Sequence, residues 1–286
     1  MKTFLSLRMM SVAFATLILC SCKTNPEEDK IAVNAERIVS LNGTITEILC
    51  ELGLEKNIVG VDVTSTYPAS MVKLPKAGSN RNINTEAVLA MNPSVIFVTE
   101  NGLPAEAAAQ FKTANVPVIF CKQDYSIQGA KDLIKQVADT LQLQDKVEAI
   151  HKKIDADMAA VPKYDTKPKV LFIYARGAGS MSVSGGNTAV AKMIELSGGE
   201  NAANDLEDYK PYTSEALVER NPDALLFFDT GLESLNGTDG LLQMPGVAQT
   251  NAGKNKKIVT MEGHLLSGFG PRIGQAIAHL SKLIHE

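Results

Sequence analysis

Three side chains in this sequence stand where ligand chemistry is feasible, and two more where a partner could be recognised. Tyr67 lies in Ser65-Thr-Tyr-Pro68, a polar loop after the apolar run Ile58-Val-Gly-Val61. Its pattern fits an amphipathic loop tyrosine as well as a ligand at a cleft edge. Arg176 follows the apolar run Lys169–Tyr174 and enters a glycine-rich turn, either as an exposed loop arginine or as a cation lining a cleft. His264 sits in the glycine-rich segment Glu262–Arg272, where a solvent-facing ring is expected over ligation. Glu86 and Glu215 each fall in the first turn of an expected helix, where the helix dipole favours an acid. Patterns that would mark an enzyme fail. The serine-rich stretch 180–186 contains no Gly-x-Ser-x-Gly, and Gly253-Lys254 lacks the other residues of a phosphate-binding loop. Gly177-x-Gly179 lacks the third glycine of a dinucleotide fingerprint. The four histidines are scattered, with no zinc-ligand spacing. No catalytic cluster or catalytic cofactor is expected, so the reading is of a protein that is not an enzyme.

The elements that must position these residues come twice. Asn84-Thr-Glu-Ala-Val-Leu-Ala-Met-Asn-Pro-Ser-Val-Ile-Phe-Val98 returns as Thr213-Ser-Glu-Ala-Leu-Val-Glu-Arg-Asn-Pro-Asp-Ala-Leu-Leu-Phe227, 129 residues later without a gap. Each copy reads as a capped short helix with an acid in its first turn, stopped at Asn-Pro and followed by a buried strand. Such a period is too long for a solenoid unit. It suits an α/β fold of two similar lobes, with a ligand cleft between them. Arg37–Leu41 and Lys169–Tyr174 open the two lobes as strands, and Asn42-Gly43 starts a helix over 44–52. Between the lobes, residues 126–162 contain no internal proline and keep helical apolar spacing, predicting one long or slightly interrupted linking helix, with Gly129 and the Leu141–Gln144 neighbourhood as the places where it would bend or break.

The chain begins with a secretory signal: Lys2 and Arg8, then the apolar run Met9–Leu19, too short to span a membrane. Its end, Leu19-Cys-Ser-Cys22, resembles the bacterial lipobox, which implies lipidation at Cys22 and anchoring to a membrane of the cell envelope. The expected organisation is a signal over 1–21, a lipidated tether over 22–35, an N-terminal lobe over 36–125, the linking helix over 126–162 and a C-terminal lobe over 163–286. Cleavage removes 21 of 286 residues together with Lys2 and Arg8, taking the formal charge from −4 to −6. An acidic chain without a basic block argues against nucleic acid as a partner. Cys50 and Cys121, in apolar contexts, read as buried hydrophobes.

From Arg37 onward the chain resembles the substrate-binding proteins of ABC importers for haem, vitamin B12 and iron-siderophores. Three segments are most similar to the haem-binding branch: Asp62–Pro68 with Leu74–Gly78, Val170–Gly177, and Leu266–Arg272. The resemblance implies two α/β lobes joined by a long helix, with haem carried in a shallow cleft and delivered to a permease dimer. It also implies Tyr67 as the axial ligand of ferric haem iron, bound as phenolate. A free phenol ionises only near pH 10, so the iron must draw off the proton. Arg176 stands where some relatives place a second ligand, a histidine. This implies five-coordinate iron with Arg176 in hydrogen-bonding reach of the phenolate or a propionate. Glu86 and Glu215 match the acids that dock onto permease arginines, one per lobe. Cobalamin and ferric siderophores are the alternative cargoes. Cobalamin sites in relatives lean on tryptophan, of which this chain has none. An enzyme or adhesin on the same scaffold would need a catalytic cluster or an apolar patch that the sequence lacks.

Overall fold

The computed structural model describes residues 33–79 and 82–286; the expected signal, Cys22 and most of the tether lie outside them. The first lobe runs β1 (Ile38–Ser40), α1 (Gly43–Glu51), β2 (Ile58–Val61), β3 (Gly78–Ser79), β4 (Asn82–Ile83), α2 (Thr85–Ala90), β5 (Val95–Thr99), α3 (Ala105–Thr113) and β6 (Val118–Cys121). Its main sheet is parallel, in the order β2-β1-β5-β6, while β3 and β4 pair separately. Two helices follow, α4 (Ile127–Thr140) and α5 (Val147–Ala159). The second lobe runs β7 (Lys169–Ala175), β8 (Met181–Ser184), α6 (Ala189–Leu196), β9 (Glu200–Asn201), β10 (Tyr209–Pro211), α7 (Ser214–Arg220), β11 (Ala224–Phe228), α8 (Asp229–Glu233), α9 (Gly237–Leu242), α10 (Asn251–Lys254), β12 (Ile258–Met261), α11 (Gly263–Ser267) and α12 (Ile273–His285).

The two lobes share one plan. Parallel pairing runs β9-β7-β11-β12 in lobe two, as β2-β1-β5-β6 does in lobe one. Lobe two adds an antiparallel layer, β8 beside β7 and β10 beside β8. Strand residues alternate between two apolar layers, as the two-residue period of a pleated strand requires. Val95 and Phe97 of β5 and Val170 and Phe172 of β7 enter a central cluster shared by both lobes. Ile96 and Val98 face an outer cluster on lobe one, and Leu171 and Ile173 face one on lobe two. α12 buries Ile273, Ala276, Ile277, Leu280 and Ile284 along one stripe. That stripe packs against α5, closing the shared core from behind.

The single linking helix expected over 126–162 is two helices folded back on each other. The break falls at Leu141–Gln144, where Gln142 takes a positive φ of 56° and a 3₁₀ turn follows. Lys131 Nζ reaches Asp155 at 2.5 Å and His151 Nε2 meets the Lys131 carbonyl at 3.0 Å, so α4 and α5 run antiparallel. Only α5 crosses between lobes. It starts beside lobe one, where Lys146 donates to the Leu52 carbonyl, and ends beside α12, where Gln275 donates to Asp157.

The repeated helices end alike. Asn84 and Thr213 cap α2 and α7, accepting from the backbone N–H of Ala87 and Ala216. Asn92 and Asn221 then reverse the chain with φ of 48° and 41°, so the residue before each proline leaves the helix through the left-handed region. Asparagine tolerates this conformation better than other residues with a Cβ. Because the Asn92 side chain is exposed, its conformation alone is tested by substitution. Asn92→Ala is expected to lower stability by about 1 kcal/mol, and Asn92→Gly to leave it unchanged or slightly raised. Urea denaturation measures both; an alanine variant as stable as the parent would remove the left-handed turn as the cause.

Candidate functional site

Between the lobes lies an open cavity of about 1200 Å³. That exceeds the usual span of small-molecule sites and suits a large ligand. Lobe one contributes the start of α1 and two loops. Asn42 caps α1, its side-chain oxygen accepting from Thr44 N at 2.9 Å and Ile45 N at 3.1 Å. Gly43 is required there: a Cβ would come within 2.7 Å of the Thr64 carbonyl and 2.9 Å of His264 Nδ1. The Tyr67 loop is fastened from below. Buried Asp62 accepts from the hydroxyls of Thr64 at 2.5 Å and Ser65 at 2.6 Å, and Lys76 Nζ donates to the Met71 carbonyl at 3.0 Å. Thr64 and Thr66 line the cavity, and Tyr67, next along the loop, is 40% exposed.

Lobe two builds an aromatic wall. Tyr174 at the end of β7 meets Tyr209 of β10 and Phe228 of β11 edge-on, with ring centroids 6.3 Å and 6.0 Å apart. The exposed Arg176 lies over the Tyr174 ring, 5.4 Å from its centroid. Tyr125, at the end of lobe one, packs 5.4 Å from Phe269 and also faces the cavity. Burial of its oxygen pushes the Tyr209 phenol up; contact with the Ser184 hydroxyl opposes this, while nearby Tyr125 and Tyr174 add to it. The Tyr209 phenol therefore stays neutral at neutral pH and offers a ring face and a hydrogen bond.

Glu262–Arg272 crosses between the lobes as a strap, and four lobe-one side chains hold it. Thr44 Oγ1 and Gln123 Nε2 donate to the Gly268 carbonyl at 2.6 and 2.7 Å. Thr66 Oγ1 donates to Glu262 Oε1 at 3.1 Å. Glu47, one helical turn after Thr44, is 2% exposed, and its Oε2 accepts from Arg272 Nη2 at 2.9 Å. His264 Nε2 lies 3.4 Å from the same oxygen. Inside the strap, buried Phe269 carries a positive φ of 52°, a strained conformation for a bulky residue.

These positions alter several expectations. His264, expected to face solvent, has a side chain only 8% exposed, pinned between Glu47 and α1 while lining the cavity. The guanidinium against Tyr67 belongs to Arg272, whose Cζ lies 3.6 Å from the ring centroid; Arg176 stacks on Tyr174 instead. Glu86 and Glu215 are exposed in the first turns of α2 and α7 and do not line the cavity. Tyr125, Tyr174, Tyr209, Glu47 and Arg272 were not foreseen as site residues. Glu47 gives no local signal: α1 also carries Thr44, Thr46 and Glu51, and only the fold shows that its first seven residues are buried, so that the acid needs a buried partner. Among the described residues no cluster of three or more metal-binding side chains occurs, and no helix is long and apolar enough to cross a membrane.

Two α/β lobes of one plan, enclosing a cleft and joined by a crossing helix, define a bilobed solute-binding protein. Residues 38–265 match the periplasmic binding protein family, and the chain belongs to it. This makes it a substrate-binding protein of an ABC importer. The periplasmic heme-binding protein RhuT from Roseiflexus sp. RS-1, in apo form, superposes with a TM-score of 0.83 at 39% identity, covering 88% of this chain and 98% of that one. The ABC transporter substrate-binding lipoprotein YvrC of Bacillus subtilis is 26% identical, over 87% of this chain and 80% of its own. A cobalamin-binding protein of Halobacterium salinarum is also 26% identical, over 92% and 74%.

The buried carboxylate gives the site a pH dependence. Burial alone would raise the Glu47 pKa, but contacts with His264 and Arg272 and their charges outweigh it, so the group is held below its usual 4.5. A carboxyl depressed in the folded state contributes stability in full above its unfolded pKa and loses it as pH falls through the folded value. Glu47→Gln, which strands a buried cation, is expected to cost about 3–5 kcal/mol at pH 7. It should also remove part of the parent's stability loss below about pH 4.5. Thermal unfolding from pH 7 to pH 3 reads both effects; parallel curves for parent and variant would refute the assignment.

Proposed function

We propose that this protein captures ferric haem in the interlobe cleft and hands it to the permease of an ABC importer. The observation that carries the reading is the exposed Tyr67, next in sequence to the cavity-lining Thr66, with the Arg272 guanidinium 3.6 Å from its ring centroid. An anionic oxygen donor favours ferric iron, and the guanidinium brings a balancing positive charge to it. The lobe-two wall, where Tyr174, Tyr209 and Phe228 pack edge to face, offers aromatic surface to an apolar macrocycle. The heme-binding RhuT, at 39% identity over 98% of its length, supports this cargo. Lobes over 36–125 and 163–286 with the crossing segment at 126–162 would act as one carrier, held to a cell-envelope membrane by a lipid at Cys22. Glu86 and Glu215, repeat-equivalent and exposed, would contact the two halves of the permease.

Cobalamin is the second reading, favoured by the cobalamin-binding relative at 26% identity and by a cavity roomy enough for a corrinoid. Titration with hemin and with cyanocobalamin separates the two. Hemin should produce a Soret band, with a phenolate-to-iron charge-transfer band that Tyr67→Phe abolishes along with about tenfold or more of affinity. An unchanged spectrum in Tyr67→Phe would exclude Tyr67 as ligand, and tight cyanocobalamin binding without a hemin spectrum would exclude haem. Glu86→Lys and Glu215→Lys should each slow uptake through the permease in vesicles while hemin affinity stays within about twofold. Loss of hemin binding in either variant would move that residue from docking to the pocket or the fold.

A further inference from the structure

The cavity and Tyr67 belong to different lobes from some of the groups that shape them, and one side chain connects them. Glu47 comes from α1 of lobe one, yet its carboxylate is spent on two lobe-two side chains, Arg272 and His264. Arg272, so held, lies against the ring of Tyr67, which returns the contact to lobe one. His264, so held, lines the cavity floor against Gly43. The carboxylate is 2% exposed, and two atoms of this cluster, Glu47 Oε1 and Arg272 Nε, are buried without a hydrogen-bond partner. Removing charge from water and leaving donor and acceptor unpaired costs stability, and an apolar pair of similar volume would avoid that cost. Core stability alone gives no reason for the arrangement. What the ion pair supplies that an apolar pair lacks is direction: the Nη2–Oε2 hydrogen bond to Glu47 tethers one end of the Arg272 guanidinium, which lies over the Tyr67 ring.

We propose that Glu47 is a positioning residue of the binding site, acting across the lobe interface to orient Arg272 beneath Tyr67 and to seat His264 in the cavity floor. The proposal rests on the haem reading for its consequence in the loaded protein. Its geometry is independent of that reading.

The test has a ligand-free arm and a haem arm. In the ligand-free protein, the Arg272 Nη2–H signals in ¹⁵N–¹H NMR, whose nitrogen donates to Glu47, should be sharp and slow to exchange with solvent. Glu47→Gln should broaden or abolish them, whereas Glu51→Gln, on the same helix but in a partly exposed pair with Lys153, should not. A sharp, protected Arg272 signal in Glu47→Gln overturns the proposal whatever the cargo. In the hemin-loaded protein, Glu47→Gln should shift the absorption spectrum toward that of Tyr67→Phe and weaken hemin at least tenfold. A folded Glu47→Gln protein with the parental spectrum and affinity also overturns it. Should Glu47→Gln not fold, the double variant Glu47→Leu/Arg272→Met replaces the pair by apolar groups. It should regain the parental unfolding midpoint but keep the shifted spectrum, because stability returns without the orienting contact. A parental spectrum in the double variant refutes the positioning role. If Tyr67→Phe itself leaves the spectrum unchanged, the haem reading falls, and the ligand-free arm still decides the role of Glu47.

Discussion

The relation between the two lobes depends on a buried carboxylate whose charge is shared by two basic side chains from the other lobe. Beside the shared apolar core, the interlobe tie has a polar and directional part: Glu47 to Arg272, Thr44 and Gln123 to the Gly268 carbonyl, and Thr66 to Glu262. Apolar packing behind it, where α12 lies on α5, resists separation but is tolerant of small rotations. Hydrogen bonds of 2.6 to 2.9 Å that tie α1 and Gln123 to a single strap are not. A cleft held in this way is formed before its ligand arrives, so less of the binding free energy is lost to ordering the walls. The strained backbone of Phe269 belongs to the same picture, since a bulky residue keeps a positive φ only where its surroundings over-determine it.

Duplication explains the scaffold, and the site lies where the copies diverge. α2 with β5 and α7 with β11 repeat the same cap, the same left-handed asparagine and the same alternation of buried faces. Lobe one passes from β1 straight into α1 and carries Tyr67 on the loop after β2. Lobe two instead turns β7 back through Gly177 into the antiparallel β8, and β10 joins its edge. That added layer is what brings Tyr209 beside Tyr174 and places Arg176 over the latter's ring. Equivalent chain positions thus give unlike walls, one loop-built and polar, the other sheet-built and aromatic.

What the sequence discloses is set by the range of the interaction. The repeat, the capped helices, the buried strands and the break at Leu141–Gln144 are local signals that appear in the structure at or near the residues that announced them, whereas Gly129, the other expected bend, lies inside the unbroken α4. That the break reverses the chain, making α4 and α5 a hairpin, depends on pairs such as Lys131 with Asp155 that no local pattern contains. Glu47 and Arg272 lie 225 residues apart. Nothing in the neighbourhood of either names the other, so Arg176, the arginine in the more conspicuous glycine-rich setting, was matched with Tyr67 in place of Arg272. His264 was misjudged for the same reason: a glycine-rich segment predicts an exposed loop until another lobe is laid over it.

The distribution of charge in the cavity constrains how any carboxylate-bearing ligand can lie. Asp208, Asp229 and Glu262 line it together with Arg176. The Glu262 oxygens are already committed to the backbone N–H groups of His264 and Leu265, so they cap α11 and offer little to a ligand. Propionates turned toward these acids would meet like charge in a partly desolvated space, where repulsion is stronger than in water. Toward Arg176, which is exposed, they would meet a guanidinium able to pair bidentately at the solvent edge. Under the haem reading, then, the macrocycle enters with its apolar edge inward and its propionates outward. Under that reading Arg176 would serve the charged edge and Arg272 the ring of Tyr67, which selects the propionate from the two partners that the resemblance offers Arg176.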